Sequence, residues 1–153
     1  MSDLKMIIGG KEVESVSKQR MEVINPADEK KVGSVPKGTA QDVDLAVKAA
    51  RKAYKSWSRM TPGERGALLS KLADHLDTET DRIAEMETSQ TGKPHKLSKN
   101  SDIPFANDNI RFMGSQARVL DGSAAGEYVE GMTSFIRREP IGVVGSIAPW
   151  NYP

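Results

Sequence analysis

The last thirteen residues, Ile141-Gly142-Val143-Val144-Gly145-Ser146-Ile147-Ala148-Pro149-Trp150-Asn151-Tyr152-Pro153, constrain the fold of this chain most. Val143 to Ala148 is apolar apart from Ser146 and alternates too little for a strand with one wet face. Such a run reads as a strand covered on both faces, the habit of parallel sheets in α/β proteins. Pro149 ends it, because proline has no N–H to give the ladder. Trp150 and Asn151 then fall just past the carboxyl end of the strand, the edge where open α/β sheets bind ligands. An asparagine amide held there is a neutral donor suited to an oxygen that gains negative charge. Spacing alone also allows a plain turn asparagine, since asparagine is a common turn former.

Earlier segments alternate between strand and helix signals. Gly9-Gly10 lies between Met6-Ile7-Ile8 and Lys11-Glu12-Val13. That arrangement predicts a two-residue hairpin turn, both glycines being free to take positive φ. Met21 to Ile24 reads as a second strand, stopped by Asn25-Pro26, and Lys31 to Val35 as a third, stopped by Pro36. Residues 6–36 are therefore expected to form a small β meander. Thr39, with Asp42 three residues on, opens a helix with a capping-box pattern. Val43, Ala46, Val47, Ala50, Tyr54 and Trp57 follow on one face of it. Thr61, Pro62 and Glu64 open a second helix, with Leu68, Leu69, Leu72 and Leu76 as its apolar stripe. A third runs from Thr78 to Gln90 with Ile83 and Met86 inward; Gly92 closes it and Pro94 forbids continuation. A longer helix is expected from about Asp102 to Leu120, burying Ile103, Ala106, Ile110, Met113 and Ala117. Glu127 to Arg138 reads as two short strands around Gly131.

A chain of 153 residues is long enough for one domain with a sizeable core. Its 22 basic and 21 acidic residues nearly cancel, which argues against nucleic acid or an anionic membrane surface as a partner. No apolar run approaches the ~20 residues of a membrane helix. Met1-Ser2-Asp3-Leu4-Lys5 lacks the basic-then-apolar pattern of a secretory leader. The absence of cysteine excludes disulfides and fits a cytoplasmic location. His75 and His95 have no second His or Cys at ligand spacing, and read as a helix-surface and a loop residue.

Pro149-Trp150-Asn151-Tyr152-Pro153, preceded by Arg138-Glu139-Pro140-Ile141-Gly142-Val143-Val144, resembles the start of the cofactor-binding core of NAD(P)-dependent aldehyde dehydrogenases. Ile24-Asn25-Pro26, Thr91-Gly92-Lys93-Pro94 and Arg111-Phe112 agree in order and spacing, so the resemblance covers nearly the whole chain. Ala124-Ala125-Gly126-Glu127-Tyr128 and Ser146 to Pro153 look most like γ-aminobutyraldehyde dehydrogenases. The resemblance implies an α/β fold, the N-terminal portion of a Rossmann-like cofactor-binding domain. Its parts would be 1–121 (meander at 6–36, helices at 40–120), an oligomerisation-type hairpin over 122–138, and the first core strand over 139–153. It implies Asn151 as oxyanion donor, and Ile147, Ala148, Pro149 and Trp150 as the wall on the nicotinamide side of NAD or NADP. It also implies a monovalent-cation site made by the carbonyls of Val23 and Ile24 and the carboxylate of Asp102. Oxygen-only ligands suit a hard ion; a helix-start aspartate favoured by the dipole is the alternative for Asp102.

The chain also departs from that pattern. Members of the family are much longer and use a cysteine nucleophile, and this chain has no cysteine. In the family the cysteine, the general-base glutamate and the glycine-containing dinucleotide turn all lie beyond the position of Pro153. The chain therefore resembles the first third of an enzyme that oxidises an aldehyde to a carboxylic acid with NAD(P)⁺. The steps are cysteine attack, hydride transfer and hydrolysis, and an amino-aldehyde is the expected substrate. The chain by itself is expected to be inactive. Its expected partners are a small aldehyde and either a second copy or the remainder of the enzyme, with no nucleic acid and no membrane. The alternatives are a non-catalytic structural or oligomerisation module and a complementing half of a split enzyme.

Overall fold

The computed structural model describes residues 3–123 and 126–149. Gly9 and Gly10 sit at φ 61° and 76°. Their turn closes β1 (Met6–Ile8) antiparallel on β2 (Lys11–Val13), with Met6 opposite Val13. β3 (Arg20–Ile24) pairs antiparallel with β4 (Lys31–Pro36), with an irregularity of register between Val23 and Ile24. The two pairs remain separate two-stranded sheets, so the expected meander is two hairpins. The cause lies between β2 and β3. Buried Ser15 donates to Asp42 Oδ2 at 2.7 Å, and the Val16 N–H donates to Asp42 Oδ1 at 2.9 Å. These bonds draw the connection onto the start of the first helix and away from a continued ladder.

Helix α1 (Ala40–Trp57) opens with the full capping box of Thr39 and Asp42, and α2 (Pro62–Thr78) with that of Thr61 and Glu64. Reciprocal side-chain and backbone bonds satisfy N–H groups that have no partner inside a helix. α3 (Thr80–Thr91) starts two residues later than expected and ends at Gly92, whose φ of 72° is the left-handed cap. A single turn, α4 (His95–Leu97), leads through a π-helical turn (Ser98–Asp102) into α5 (Ile103–Gln116). The last helix thus stops four residues short of the expected Leu120.

The centre of the helical part is the crossing of α2 over α5. A β-carbon built on Gly66 would lie 2.4 Å from the Gly114 carbonyl oxygen, and one on Gly114 would lie 3.1 Å from that of Gly66. The two backbones touch, so only glycine fits Gly66. This contact rotates α5 from its expected stripe. Ile103, Asn107 and Gly114 are buried, while Ala106 and Met113 face solvent. Leu68 and Leu72 of α2, and Val43, Ala46, Ala50 and Trp57 of α1, are likewise more exposed than their periodicity predicts.

Beyond α5 the chain makes few internal bonds. Of the two strands expected over Glu127 to Arg138, one antiparallel bridge remains, Val129 to Met132, around Gly131 at φ 75°. Residues 139–149 form no strand, and Ile141 and Ile147 are 92% and 91% exposed. The expectation of a strand covered on both faces is corrected for these residues. A parallel strand needs flanking strands and helices on both faces, and β1 to β4 are paired among themselves. The fold class is α/β in the sense of small sheets and helices. Among the described residues, no helix is long and apolar enough to cross a membrane.

Candidate functional site

Trp150 and Asn151 lie outside the described residues. Of the expected nicotinamide wall, Ile147, Ala148 and Pro149 are present and exposed, with no other element over them. Residues 140–149 carry no charged side chain. The same residues hold no lysine or arginine to pair with a phosphate.

The segments that carry the expected cation-site residues meet through other residues. Gly92 adopts its left-handed cap directly against the early turn, and a β-carbon there would press on Pro26 Cγ at 3.0 Å. Two separate sequence motifs, Ile24-Asn25-Pro26 and Thr91-Gly92-Lys93-Pro94, therefore meet in space. Lys93 turns inward from this contact, its side chain 15% exposed. Its Nζ donates to Asp102 Oδ2 at 2.7 Å and stands 3.6 Å from Glu87 Oε1. The hydrogen bond to Asp102 holds the Lys93 ammonium above the usual lysine range, against the opposing effect of burial. Asp102 closes the π-helical turn, and Val23 and Ile24 lie at the register irregularity of the β3–β4 pair. Among the described residues, no group of three or more His, Asp or Glu side chains is placed to hold a metal.

Of the three residues expected to hold a cation, Asp102 is thus engaged by a lysine, and Val23 and Ile24 could contribute only neutral carbonyls. Sequence reasoning missed Lys93 and Glu87. Lys93 stood inside a recognised motif, but its charge was not connected to Asp102 nine residues later.

Other charged clusters are fully committed to the fold. Asp42 takes hydrogen bonds from the Val16 N–H, Ser15 and both donors of Thr39. With the Val16 bond the largest cause, these hold its carboxyl down at about 2. Asp77 is lowered first by the Arg111 guanidinium, which also reaches Asp74 at 2.8 Å, and then by buried Asn107 at 2.6 Å. Arg65 and Arg138 line a groove of about 400 Å³ beside Trp57. They donate instead to the carbonyls of Met60 and Asp121. None of the described site residues, Val23, Ile24, Asp102, Ile147, Ala148 and Pro149, lines that groove.

The profile of the Aldehyde dehydrogenase family matches residues 13–153 of this chain. The chain belongs to the aldehyde dehydrogenase family. An aldehyde dehydrogenase of Alternaria alternata is 40% identical over 149 residues, covering 97% of this chain and 30% of its own length. The structure is similar to the NAD⁺ complex of an aldehyde dehydrogenase from Bacillus cereus, with a TM-score of 0.92 at 35% identity. That match covers 99% of this chain and 31% of the Bacillus one. It is also similar to a betaine aldehyde dehydrogenase of Staphylococcus aureus in complex with NAD⁺, with a TM-score of 0.92 at 32% identity. Here the match covers 99% of this chain and 30% of the other. The chain spans about 30% of the length of the relatives it matches.

Proposed function

We propose that this chain supplies the oxyanion donor and the nicotinamide wall of an NAD(P)-dependent aldehyde dehydrogenase. The observation that carries the reading is the family match over residues 13–153, which reaches through the Pro149-Trp150-Asn151-Tyr152-Pro153 motif. NAD-bound structures among the neighbours support the choice of cofactor. NAD(P)⁺ supplies the hydride acceptor when bound. Ile147, Ala148, Pro149 and Trp150 would offer apolar contact to its ring and help keep water from it. Asn151 would donate its amide N–H to the aldehyde oxygen as that oxygen gains charge, and would hold it while hydride leaves the carbon. A donor in place before the reaction needs no reorganisation, which is why a single one has a large effect on rate.

The nucleophile comes from elsewhere. The chain contains no thiol, so it forms no thiohemiacetal by itself, and turnover requires a cysteine from a further segment of the protein. An amino-aldehyde is the substrate class we favour. Its support is the likeness of Ala124 to Tyr128 and Ser146 to Pro153 to that subgroup, of which Ala124, Ala125 and residues 150–153 lie outside the described residues. A cytoplasmic location is consistent with the cysteine-free composition.

The test is Asn151→Ala in the complete enzyme. The expected result is a fall in kcat of about 10²–10³ with NAD⁺ affinity unchanged. An unchanged kcat overturns the oxyanion role. NAD⁺-dependent turnover by the 153-residue chain alone would overturn the requirement for an outside thiol.

A further inference from the structure

We propose that Lys93 is the built-in counter-cation of Asp102, so that no alkali ion is bound at that carboxylate. The inference is independent of the catalytic reading, since neither residue is given a part in the oxyanion or nicotinamide role.

Asp102 Oδ2 is 2.7 Å from Lys93 Nζ, and the two side chains are only 12% and 15% exposed. An alkali ion coordinated by this carboxylate would stand a few ångströms from the ammonium. Like charges at that separation repel, and water and salt screen them less in a partly buried pair than at the surface. The carbonyls of Val23 and Ile24 carry no net charge to offset the repulsion. The Lys93 ammonium also stands 3.6 Å from Glu87 Oε1, beyond hydrogen-bond reach, and meets it as a charge only. Local backbone chemistry sets its position. Gly92 in the left-handed region turns the chain toward Pro26, and Pro94 restricts the preceding residue, Lys93, to extended backbone. The ammonium is therefore delivered by a rigid Gly-Lys-Pro corner and is not a wandering surface charge.

Glu87 and Asp102 place two carboxylates beside the Lys93 ammonium, an arrangement that also attracts small cations, and salt dependence separates the two readings. The experiment compares thermal midpoints of the complete protein in NaCl, KCl and tetramethylammonium chloride at equal ionic strength. It also measures ²³Na line width on titration of NaCl into protein kept in the tetramethylammonium salt. For the wild type we expect equal midpoints and no more broadening than for Asp102→Asn. For Lys93→Met, which leaves two carboxylates without their lysine, we expect a midpoint higher in NaCl or KCl than in tetramethylammonium chloride. A wild-type midpoint that rises in NaCl or KCl overturns the proposal. So does wild-type ²³Na broadening that Asp102→Asn abolishes. The wild-type midpoint comparison stands even if a variant fails to fold.

Discussion

The α2–α5 pair and the tail over residues 126–149 treat their demands in opposite ways. In the pair, the close approach of Gly66 and Gly114 lets two backbones touch, and Asn107, Asp77, Asp74 and Arg111 satisfy one another across it. In the tail, Tyr128, Phe135, Ile136, Ile141, Val144 and Ile147 are all exposed, and among the described residues there the backbone makes one β-bridge, Val129 to Met132, and one further bond, from the Ile136 N–H to the Ser123 carbonyl. Apolar content does not separate the two regions; range of interaction does. A helix closes its hydrogen bonds within four residues of sequence and needs one covered face. A doubly covered strand closes none of its bonds by itself.

The sharpest way to break this comparison is Gly66→Val, which drives a branched side chain into the Gly114 carbonyl. We expect a loss of about 1–3 kcal/mol in denaturant unfolding, the usual range for an overpacked site. A neutral result would mean that the crossing is not where the helices hold together. Next comes Thr61→Ala at the start of α2. Removing a side-chain N-cap costs about 0.5–2 kcal/mol, to be read from the same unfolding curves and from loss of helical circular dichroism.

Acid tests the N-terminal hairpins. Asp42 is held at about 2 in the fold, against 3.8 for an unperturbed aspartate. The folded value is the lower one. Its contribution is therefore complete above the unfolded value and fades as pH falls through the folded one. Glu64 and Asp77 are lowered in the same sense. Asp42→Asn should lower stability at neutral pH and flatten the decline between about pH 4 and pH 2. A parallel curve for wild type and variant would show that Asp42 does not couple the hairpins to α1.

The smallest effect is expected in the tail. Ile141→Ser and Ile147→Ser should each change the stability of this chain by no more than about 0.5 kcal/mol, as for substitutions on a surface. Amides of residues 141–148 should exchange without protection. Slow exchange there would mean that the segment pairs as a strand in solution, and would erase the contrast with the α2–α5 pair.

Much of the fold was legible because its signals are local. Gly9-Gly10, the capping boxes at Thr39 and Thr61, Pro62, and the stop at Gly92 depend on neighbours within four residues, and each is found where the sequence places it. What sequence reading missed depends on distant partners. The face that α5 buries follows from Gly114 meeting Gly66, not from the apolar stripe containing Met113. The separation of the two hairpins follows from Asp42 capturing Ser15 and Val16. The pairing of Asp102 with Lys93 was not legible, because Lys93 reaches Asp102 only once Gly92 has turned the chain.

Local sequence therefore determined where α1 and α2 start, where the glycine turns fall and, through its motifs, the family. Tertiary structure alone decided which face of each helix is buried, which carboxylate each cation serves and whether an apolar run becomes a strand. The physical reason is reach. Caps and turns are satisfied by the chain's own next few residues, whereas burial, ion pairing and sheet ladders require groups that sequence separates and only packing brings together.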